Sequence, residues 1–595
     1  MSRRREWTSI FVWGWRAAPR RLVLTAAFLI GNGLASIIYP IGMAIVINAA
    51  LNRDTSKLIA GVALVAVLFT VYWAFGMFGG IAAARFSQET TFYLNARVAE
   101  HLHAIGGIDH LERPSYRTEL DILQENLQLL GNGARQMLVI LAILIRTVGI
   151  VVILALIYPP LGLLPLFAVA PVLGERYSVA IRQEAEERLA DRRRLANELF
   201  ELATSEGPAK ELRVFGAVQP LSARHAALAA EVMHELNRVT LRGTLTGIAG
   251  WLVFATGFVA GIAVVVIRAT HGHASIGEVV LAVTLIQSVQ YQVGSVAAGV
   301  GQLLTTARHA RRLLWLEDYA VAEQRAIQAR PLTAPPAALT QGIRLQHVSF
   351  SYPSSDSAVL SDIDLLLPAG SAIAVVGENG AGKTSLVKLL TGMYQPGTGS
   401  ILLDDTPLTN IDPAAWRART AATFQDFIQF ELIAQEVVGI GSLEHIADEA
   451  TVRTALERAN AHATIAELHN GLQTPLGSSF ERGQQLSGGQ WQRLALARGM
   501  MRPLPLLLVL DEPTASLDAI TEAALFERYL AARESARATG AITILISHRF
   551  STVRMADLIV VLEHGRITEQ GSHDQLMRND GLYAQLFEMQ AQAYR

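Results

Sequence analysis

The sequence predicts a multi-domain chain, with an all-α transmembrane domain of about six long helices followed by an α/β domain. Of its 595 residues, 51% are hydrophobic and 17% are charged, which is typical of membrane proteins rather than of soluble ones. The apolar excess lies in the first half of the chain. The second half alternates short apolar runs with helical periodicity, which predicts a mixed α/β sheet.

Charge and cysteine content exclude several classes of partner and site. The formal net charge of −2 gives no sign of a nucleic-acid-binding surface, so we expect no nucleic-acid partner. The sequence contains no cysteine. Disulfides, thiol catalysis and zinc or iron–sulfur sites built from cysteine are therefore excluded.

Six apolar stretches are long enough to cross a lipid bilayer, because roughly 20 helical residues match a hydrocarbon core about 30 Å thick. The fourth contains Pro165 and Pro171, so its cytosolic end is expected to be helix beyond the lipid. Ahead of them, residues 1–21 combine arginines with tryptophans and predict a cytosolic elbow at the membrane surface. The predicted spans are Leu22–Ile47, Leu58–Ala84, Met137–Tyr158, Leu161–Ile181, Leu245–Arg268 and Ile276–Leu304.

Two polar insertions, Arg85–Arg135 and Arg182–Arg242, interrupt the spans and are expected to extend the helices beyond the membrane. The other connections are short and carry few basic residues, so the basic-residue bias places both insertions and both termini in the cytoplasm. We therefore expect a multi-pass protein of the inner (plasma) membrane. The expected domains are the elbow at 1–21, the transmembrane domain at 22–315, a proline-containing linker at 316–341 and a soluble domain at 342–595.

A phosphate-binding loop is encoded between Gly377 and Thr384, where G-E-N-G-A-G-K-T directly follows the apolar run Ala372–Val376. Glycines allow the backbone amides to close around phosphates, and the helix that follows adds positive potential at its N-terminus. Lys383 adds a full positive charge, and the Thr384 hydroxyl is a suitable ligand for Mg²⁺. The motif predicts a nucleoside triphosphate site, and the alternative is a phosphate-binding loop of another class.

Three further motifs follow in order. Leu486–Gln490 has the sequence L-S-G-G-Q, an apolar strand ends in Asp511-Glu512, and Ile546–His548 has the sequence I-S-H. With these motifs the chain resembles the ATP-binding cassette (ABC) family, specifically an exporter half-transporter in which a transmembrane domain precedes one nucleotide-binding domain. The resemblance implies an ABC-type ATPase domain that binds ATP and Mg²⁺.

The resemblance also implies roles for individual residues. Glu512 would polarise the attacking water, His548 would contact the γ-phosphate, and Gln425 would link Mg²⁺ and water to the membrane domain. The sequence after Gln425 lacks the family's usual proline, which leaves that loop's contacts open. Tyr352 would stack on adenine. The alternatives are a structural role for His548 and a surface position at a strand end for Tyr352.

The implied metal ligands are Thr384, Gln425 and Asp511. The residues expected to bind nucleotide are Tyr352, Gly377, Glu378, Asn379, Gly380, Ala381, Gly382, Lys383, Thr384, Ser385, Ser487, Gly488, Gly489 and Gln490.

Ser487 to Gly489 stand at the start of a helix and predict a second anion site. In the family this segment faces the phosphate loop of another cassette, so one cassette per chain implies two chains. We expect a homodimer, with a heterodimer of two half-transporters as the alternative. The resemblance further places Ser516-Leu517-Asp518 and Glu481-Arg482-Gly483 at subunit contacts, and short coupling helices at His110–Tyr116 and Ser205–Lys210.

The expected function is ATP-driven export, in which ATP binding and hydrolysis drive alternating access and the efflux of a drug-, lipid- or peptide-like substrate. An exporter-shaped importer, for example of a metal chelate, is an alternative. A soluble cassette ATPase that acts on DNA or ribosomes is another, and the membrane half argues against it.

Arg146 lies inside the apolar run Met137–Ile157, and the predicted spans offer it no acidic partner. A charged side chain inside a membrane span is energetically costly, so we take its presence as a sign of function. We expect Arg146 to face a water-filled cavity and to favour a substrate that carries a carboxylate or phosphate. The alternative is an arginine that reaches the inner interface or pairs with backbone.

Overall fold

The computed structural model describes residues 3–593, apart from 354, 356, 503, 513–538 and 548. The chain forms two compact units. Unit 1 comprises Met1–Glu100 and Leu120–Glu317, and unit 2 comprises His101–Glu119 and Asp318–Arg595.

The first half of the chain is helical throughout. Six of its segments are long and apolar enough to cross a membrane, counted over the described residues: Pro19–Leu51, Thr55–His103, Gly133–Ile157, Pro159–Arg188, Val218–Thr270 and Ile276–Gln328. The predicted fold class is therefore confirmed. The helices are α1 Arg3–Ala17, α2 Pro19–Leu51, α3 Thr55–His103, α4 Pro114–Glu125, α5 Leu127–Gly131, α6 Gly133–Ile157, α7 Leu164–Phe167, α8 Val169–Arg188, α9 Ala190–Thr204, α10 Glu206–Val214, α11 Val218–Thr270 and α12 Ile276–Gln328.

The fourth apolar segment is not one continuous helix. It consists of a 3₁₀ turn at Pro159–Leu163, the short helix α7 and then α8, with Pro165 at the start of α7. Proline lacks the N–H that a helix interior needs, so continuous helix begins only after these turns.

Glycines on α11 allow the neighbouring α7 and α8 to approach closely. A Cβ at Gly250 would lie 2.8 Å from the Ala170 carbonyl oxygen, and one at Gly257 would lie 2.5 Å from the Phe167 ring. The seven-residue spacing places both glycines on one face of α11. Small residues at such a face permit the close helix packing that is common in membranes.

The polar insertions contain short helical elements at the places predicted for coupling helices. A 3₁₀ turn at Asp109–Glu112 is followed by α4, and α10 begins at Glu206, directly after Ser205. The roles of both segments stay predictions.

Unit 2 contains two sheets in the part that the structure describes. The strands are β1 Gly342–Phe350, β2 Leu360–Pro368, β3 Ala372–Gly377, β4 Thr398–Leu403, β5 Thr406–Pro407, β6 Thr420–Thr423, β7 Leu507–Asp511, β8 Ile542–Ile546, β9 Leu558–Glu563 and β10 Arg566–Gly571. An antiparallel sheet has the order β2-β1-β4-β5, and a mixed sheet has the order β10-β9-β3-β8-β7-β6. Strands β9, β3, β8, β7 and β6 run parallel, and β10 pairs antiparallel with β9.

Helices cover the mixed sheet, and their bounds are α13 Lys383–Leu390, α14 Pro413–Ala418, α15 Ala434–Gly439, α16 Glu449–Arg458, α17 His462–Ala466, α18 Gly488–Gly499, α19 Phe550–Val553, α20 His573–Asn579 and α21 Leu582–Ala593. All six residues of β3 are buried. Such a fully apolar strand is expected where both faces of a parallel sheet are covered.

Trp416 on α14 anchors the main core cluster of unit 2. The side chain is 1% exposed, and its indole Nε1 donates to the Leu390 carbonyl oxygen at 3.0 Å. Burial of the ring and satisfaction of a buried carbonyl therefore depend on the same side chain.

We predict that Trp416→Phe destabilises unit 2 by about 2 kcal/mol, because it leaves a small cavity and removes the donor to a buried carbonyl. Hydrogen exchange of the slowest β3 and β7 amides in the full chain measures this, with an expected acceleration of roughly 30-fold. Leu443→Ala is the control, because Leu443 is 73% exposed. Equal exchange in both variants would refute the anchoring role.

Candidate nucleotide site

Parallel strand ends position the candidate site. Strands β3, β8, β7 and β6 are adjacent in this order and parallel, so their carboxyl ends meet at one edge of the sheet. β3 ends at Gly377, β7 ends at Asp511, and β6 ends at Thr423, shortly before Gln425. Ligands commonly bind at this edge of an α/β sheet.

The phosphate loop connects β3 to α13. Gly382 has a φ of +102°, and a Cβ there would lie 2.7 Å from Leu360, so glycine is required. Lys383 begins α13, and its Nζ donates to the carbonyl oxygens of Gly377 at 2.7 Å and Glu378 at 2.9 Å. Burial lowers the pKa of Lys383. The ammonium is thus held within the loop, where it can add charge to a bound phosphate.

Thr384 and Asp511 form the oxygen pair that a divalent cation could use. Thr384 Oγ1 donates to Asp511 Oδ2 at 3.2 Å, and Asp511 is 2% exposed. Burial raises the pKa of Asp511 to about 6, and the nearby negative charge of Glu512 acts in the same direction. A hydroxyl and a carboxylate are ligands that Mg²⁺ prefers, and a cation would offset the repulsion at this site. These residues therefore fit a magnesium ion.

Glu512 and Gln425 are in direct contact. Gln425 Nε2 donates to Glu512 Oε2 at 2.7 Å, and the Glu512 backbone carbonyl accepts from Gln492 Nε2 at 3.1 Å. Glu512 also has a φ of +45°, which is uncommon for a residue with a side chain. Strained backbone of this kind is concentrated at functional sites.

Tyr352 forms the remaining wall. Its hydroxyl lies 2.8 Å from Ser385 Oγ on α13, and its ring lies edge-on to Phe350 and Tyr394 at centroid distances of 5.0 and 5.5 Å. Together these groups enclose a cavity of 450 Å³, lined by Tyr352, Val359, Asn379, Gly380, Gly382, Lys383, Thr384, Ser385, Gln425, Asp511 and Glu512.

The L-S-G-G-Q segment does not line this cavity. Ser487 caps α18 in a reciprocal capping box with Gln490: Ser487 Oγ accepts from Gln490 N at 3.3 Å, and Gln490 Oε1 accepts from Ser487 N at 2.9 Å. Among the described residues, no atom lies within 4 Å of a Cβ placed at Gly488. The segment predicted to form a second anion site is therefore the start of α18, and its role stays a prediction.

Some of the predicted functional positions fall outside the described residues, namely His548 and Ser516-Leu517-Asp518. The sequence did not indicate Gln492, although it stands four residues after Gly488 on α18, a spacing that places both on one helix face. Through Gln492, the helix that begins at the L-S-G-G-Q segment contacts the backbone of Glu512.

The chain is similar to known proteins in both sequence and structure. Residues 360–515 match the family described as "ABC transporter". One similar solved structure is described as a bacterial Atm1-family ABC exporter with ATP bound. The match covers 96% of this chain and 98% of that one, at 26% sequence identity and a TM-score of 0.73. Residues 360–515 belong to the ABC transporter family. Over nearly its whole length the chain is also similar to that exporter structure, with the apolar helices first and the ABC domain second.

Curated relatives match through the ATP-binding domain. An ATP-dependent lipid A-core flippase of Burkholderia orbicola is 40% identical over 250 residues, which cover 42% of this chain and 40% of that protein. The subtilin transport ATP-binding protein SpaT of Bacillus subtilis is 34% identical over 259 residues, which cover 44% of this chain and 41% of that protein. The chain thus spans about two fifths of the length of these curated relatives.

We predict that Asp511 titrates near pH 6 in the nucleotide-free protein, because burial disfavours its charged form. The carboxylic acid C=O band in the infrared spectrum should therefore be present below that pH and disappear above it. Mg²⁺ with ATP should remove the band at pH 5.5, since a cation favours the ionised carboxylate. Asp511→Asn identifies the band, and Asp405→Asn serves as control. A midpoint near pH 4 would contradict the prediction.

Proposed function

We propose that this chain is an ABC transporter that works as an ATP-driven exporter, in which ATP hydrolysis at the phosphate-loop site powers efflux across a membrane. The observation that carries the proposal is the joint presence, in one chain, of six apolar helices and a cavity that contains Lys383, Gln425 and Glu512. An enzyme that only hydrolyses ATP would not need the membrane helices.

The cavity residues fit the steps of phosphoryl transfer to water. Lys383 and the loop amides would hold the phosphates, and Tyr352 would stack on the base. Thr384, Asp511 and Gln425 would hold Mg²⁺, which neutralises charge on the phosphates when bound. Glu512 is positioned by Gln425 at 2.7 Å and would accept the proton of the attacking water. We assign the γ-phosphate contact to His548 from the family resemblance.

A second chain would complete the nucleotide site. At the start of α18, no described residue approaches the Cβ position of Gly488, and the chain's own cavity does not include Ser487, Gly488 or Gly489. Val214 and Phe215, at the end of α10, are 80% and 76% exposed, which is unusual for large apolar residues outside a membrane segment. Both features fit docking with another subunit. We favour a homodimer, because the chain's own Glu512 and signature segment are intact.

The orientation follows from the basic-residue bias, with the ATP-binding domain and both termini in the cytoplasm and the spans in the plasma membrane. One relative is named as a lipid A-core flippase, and the other is named for subtilin transport. A drug-, lipid- or peptide-like substrate is therefore proposed for this chain. Import remains the competing direction.

Arg146 supports a more specific proposal about the substrate. It lies on α6 beside Gln292 of α12, which is 1% exposed. With the Gln292 amide oriented so that its oxygen faces Arg146, that oxygen accepts from Arg146 Nε at 2.7 Å and from a terminal guanidinium nitrogen at 3.3 Å. Gln292 is neutral, and among the described residues Arg146 forms no ion pair that would balance its positive charge. We propose that an anionic group on the substrate compensates it.

We predict that Glu512→Gln lowers ATPase activity by on the order of 10²- to 10⁴-fold and leaves ATP binding intact, because only the proton acceptor is lost. The purified full chain in lipid nanodiscs is assayed alone, with Glu457→Gln as an exposed control on α16. Unchanged hydrolysis in Glu512→Gln would refute the assigned role. Inactive wild-type protein that needs another subunit would refute the homodimer.

We predict that Arg146→Gln reduces transport of an anionic dye relative to a cationic dye by roughly 10-fold, since a charge-assisted hydrogen bond contributes about 1.5–3 kcal/mol. Transport is measured in proteoliposomes supplied with ATP on the side of the ATP-binding domain. Arg146→Lys keeps the charge and is the control. An unchanged ratio would remove the anionic-substrate proposal, and accumulation in the opposite direction would favour an importer.

A further inference from the structure

Lys388 occupies an unusual position between two tyrosine rings near the nucleotide cavity. It lies on α13, three residues after Ser385, so both side chains share one helix face. Its Nζ is 5.2 Å from the ring centroid of Tyr352 and 5.7 Å from that of Tyr394. These are cation–π distances. Ser385 holds the hydroxyl of Tyr352, and Lys388 interacts with its ring.

The same ammonium also contacts the first cytoplasmic segment, residues 106–113. Lys388 Nζ lies 3.9 Å from Glu112 Oε1, and the two side chains are 24% and 33% exposed. An ion pair at this distance and exposure orients the lysine without fixing it rigidly. Lys388 therefore has one partner in the nucleotide site and another in the segment where a coupling helix is predicted.

The segment is anchored to the ATP-binding domain at two further points. Arg417 donates to the Gly106 carbonyl oxygen at 2.6 Å, and the Ile108 backbone N–H donates to the Met393 carbonyl oxygen at 3.3 Å. A Cβ at Gly107 would lie only 3.1 Å from the same Met393 oxygen. The two backbones are thus in close contact. A change in the position of Lys388 would therefore act on a segment that is already packed against the ATP-binding domain.

We propose that Lys388 is a positioning residue that links occupancy of the nucleobase site to segment 106–113. The inference rests on the proposed function, because it takes Tyr352 as the base-stacking residue. A base stacked on Tyr352 and the ammonium of Lys388 would both interact with the π system of the Tyr352 ring. Binding of the base then changes the free energy of the contact between Lys388 and the ring, and that contact changes the free energy of base binding by the same amount. Glu112 then transmits the position of Lys388 to the segment.

Hydrogen exchange of the amides in segment 106–113 tests the link in the full chain in nanodiscs. MgATP is compared with magnesium tripolyphosphate, which offers phosphates and no base. In the wild type, ATP should slow exchange by about 2- to 5-fold more than tripolyphosphate, the size of one partly exposed cation–π contact. Lys388→Gln and Glu112→Gln should each abolish this difference. Their combination should add nothing further.

Two variants act as matched controls. Lys388→Arg keeps a cation that can stack on the tyrosines, so the difference should persist. Arg453→Gln removes an exposed arginine whose partner is Glu449 on α16, and it should behave as wild type. A purely structural role for Lys388 would change exchange equally with both ligands. It would leave no dependence on the base.

The outcomes separate the inference from the proposed function. If Lys388→Gln folds and keeps the wild-type difference between the two ligands, the inference is overturned. If it does not fold, Glu112→Gln decides in the same way, because Glu112 lies at the surface of the contact. If the wild type hydrolyses ATP but shows no base-dependent protection, only the inference is wrong. If the wild type does not bind ATP, both are wrong.

Discussion

The parallel alignment of β3, β8, β7 and β6 is the constraint on which the rest of the site depends. Because parallel strands end at one edge, residues more than a hundred positions apart in sequence meet there, as Thr384 and Asp511 do at 3.2 Å. Buried apolar strands hold that edge rigid. The loops beyond it can then combine a cationic phosphate loop with two adjacent carboxylates without loss of the core.

This edge concentrates charge that is only partly balanced within the chain. Asp511 and Glu512 repel each other, which contributes to the raised pKa of Asp511, while Lys383 is held by loop carbonyls. A triphosphate with a divalent cation would supply charges of both signs and satisfy both sets of groups. For the proposed transport function, a nucleotide that bound a closed conformation more tightly than an open one would shift the protein toward the closed conformation.

Motifs tied to local backbone geometry were the most predictable from sequence. The phosphate loop follows β3 as expected, and the apolar run Ala372–Val376 that precedes it forms this strand, which extends to Gly377. The ends of the membrane helices were not predictable, because hydropathy falls at the lipid boundary while helical hydrogen bonding continues into water. The second predicted span, Leu58–Ala84, is part of a helix that runs from Thr55 to His103. Contacts between distant polar residues were also missed. The contact of Gln292 with Arg146 was not predicted, because a neutral amide does not stand out as a partner for a charge in the sequence. The contact of Glu112 with Lys388 was not predicted either, because it depends on tertiary packing alone.

We propose that each nucleotide site is shared by two copies of the chain. Subunit mixing tests this sharing, with Lys383→Ala disabling the phosphate loop and Gly488→Asp disabling the signature segment. Each variant alone should lack ATPase activity. If the sites are shared, co-assembled mixtures recover activity, because the intact phosphate loop of one variant meets the intact signature of the other. Absence of recovery in verified mixed dimers, or full activity of Gly488→Asp alone, would contradict the account.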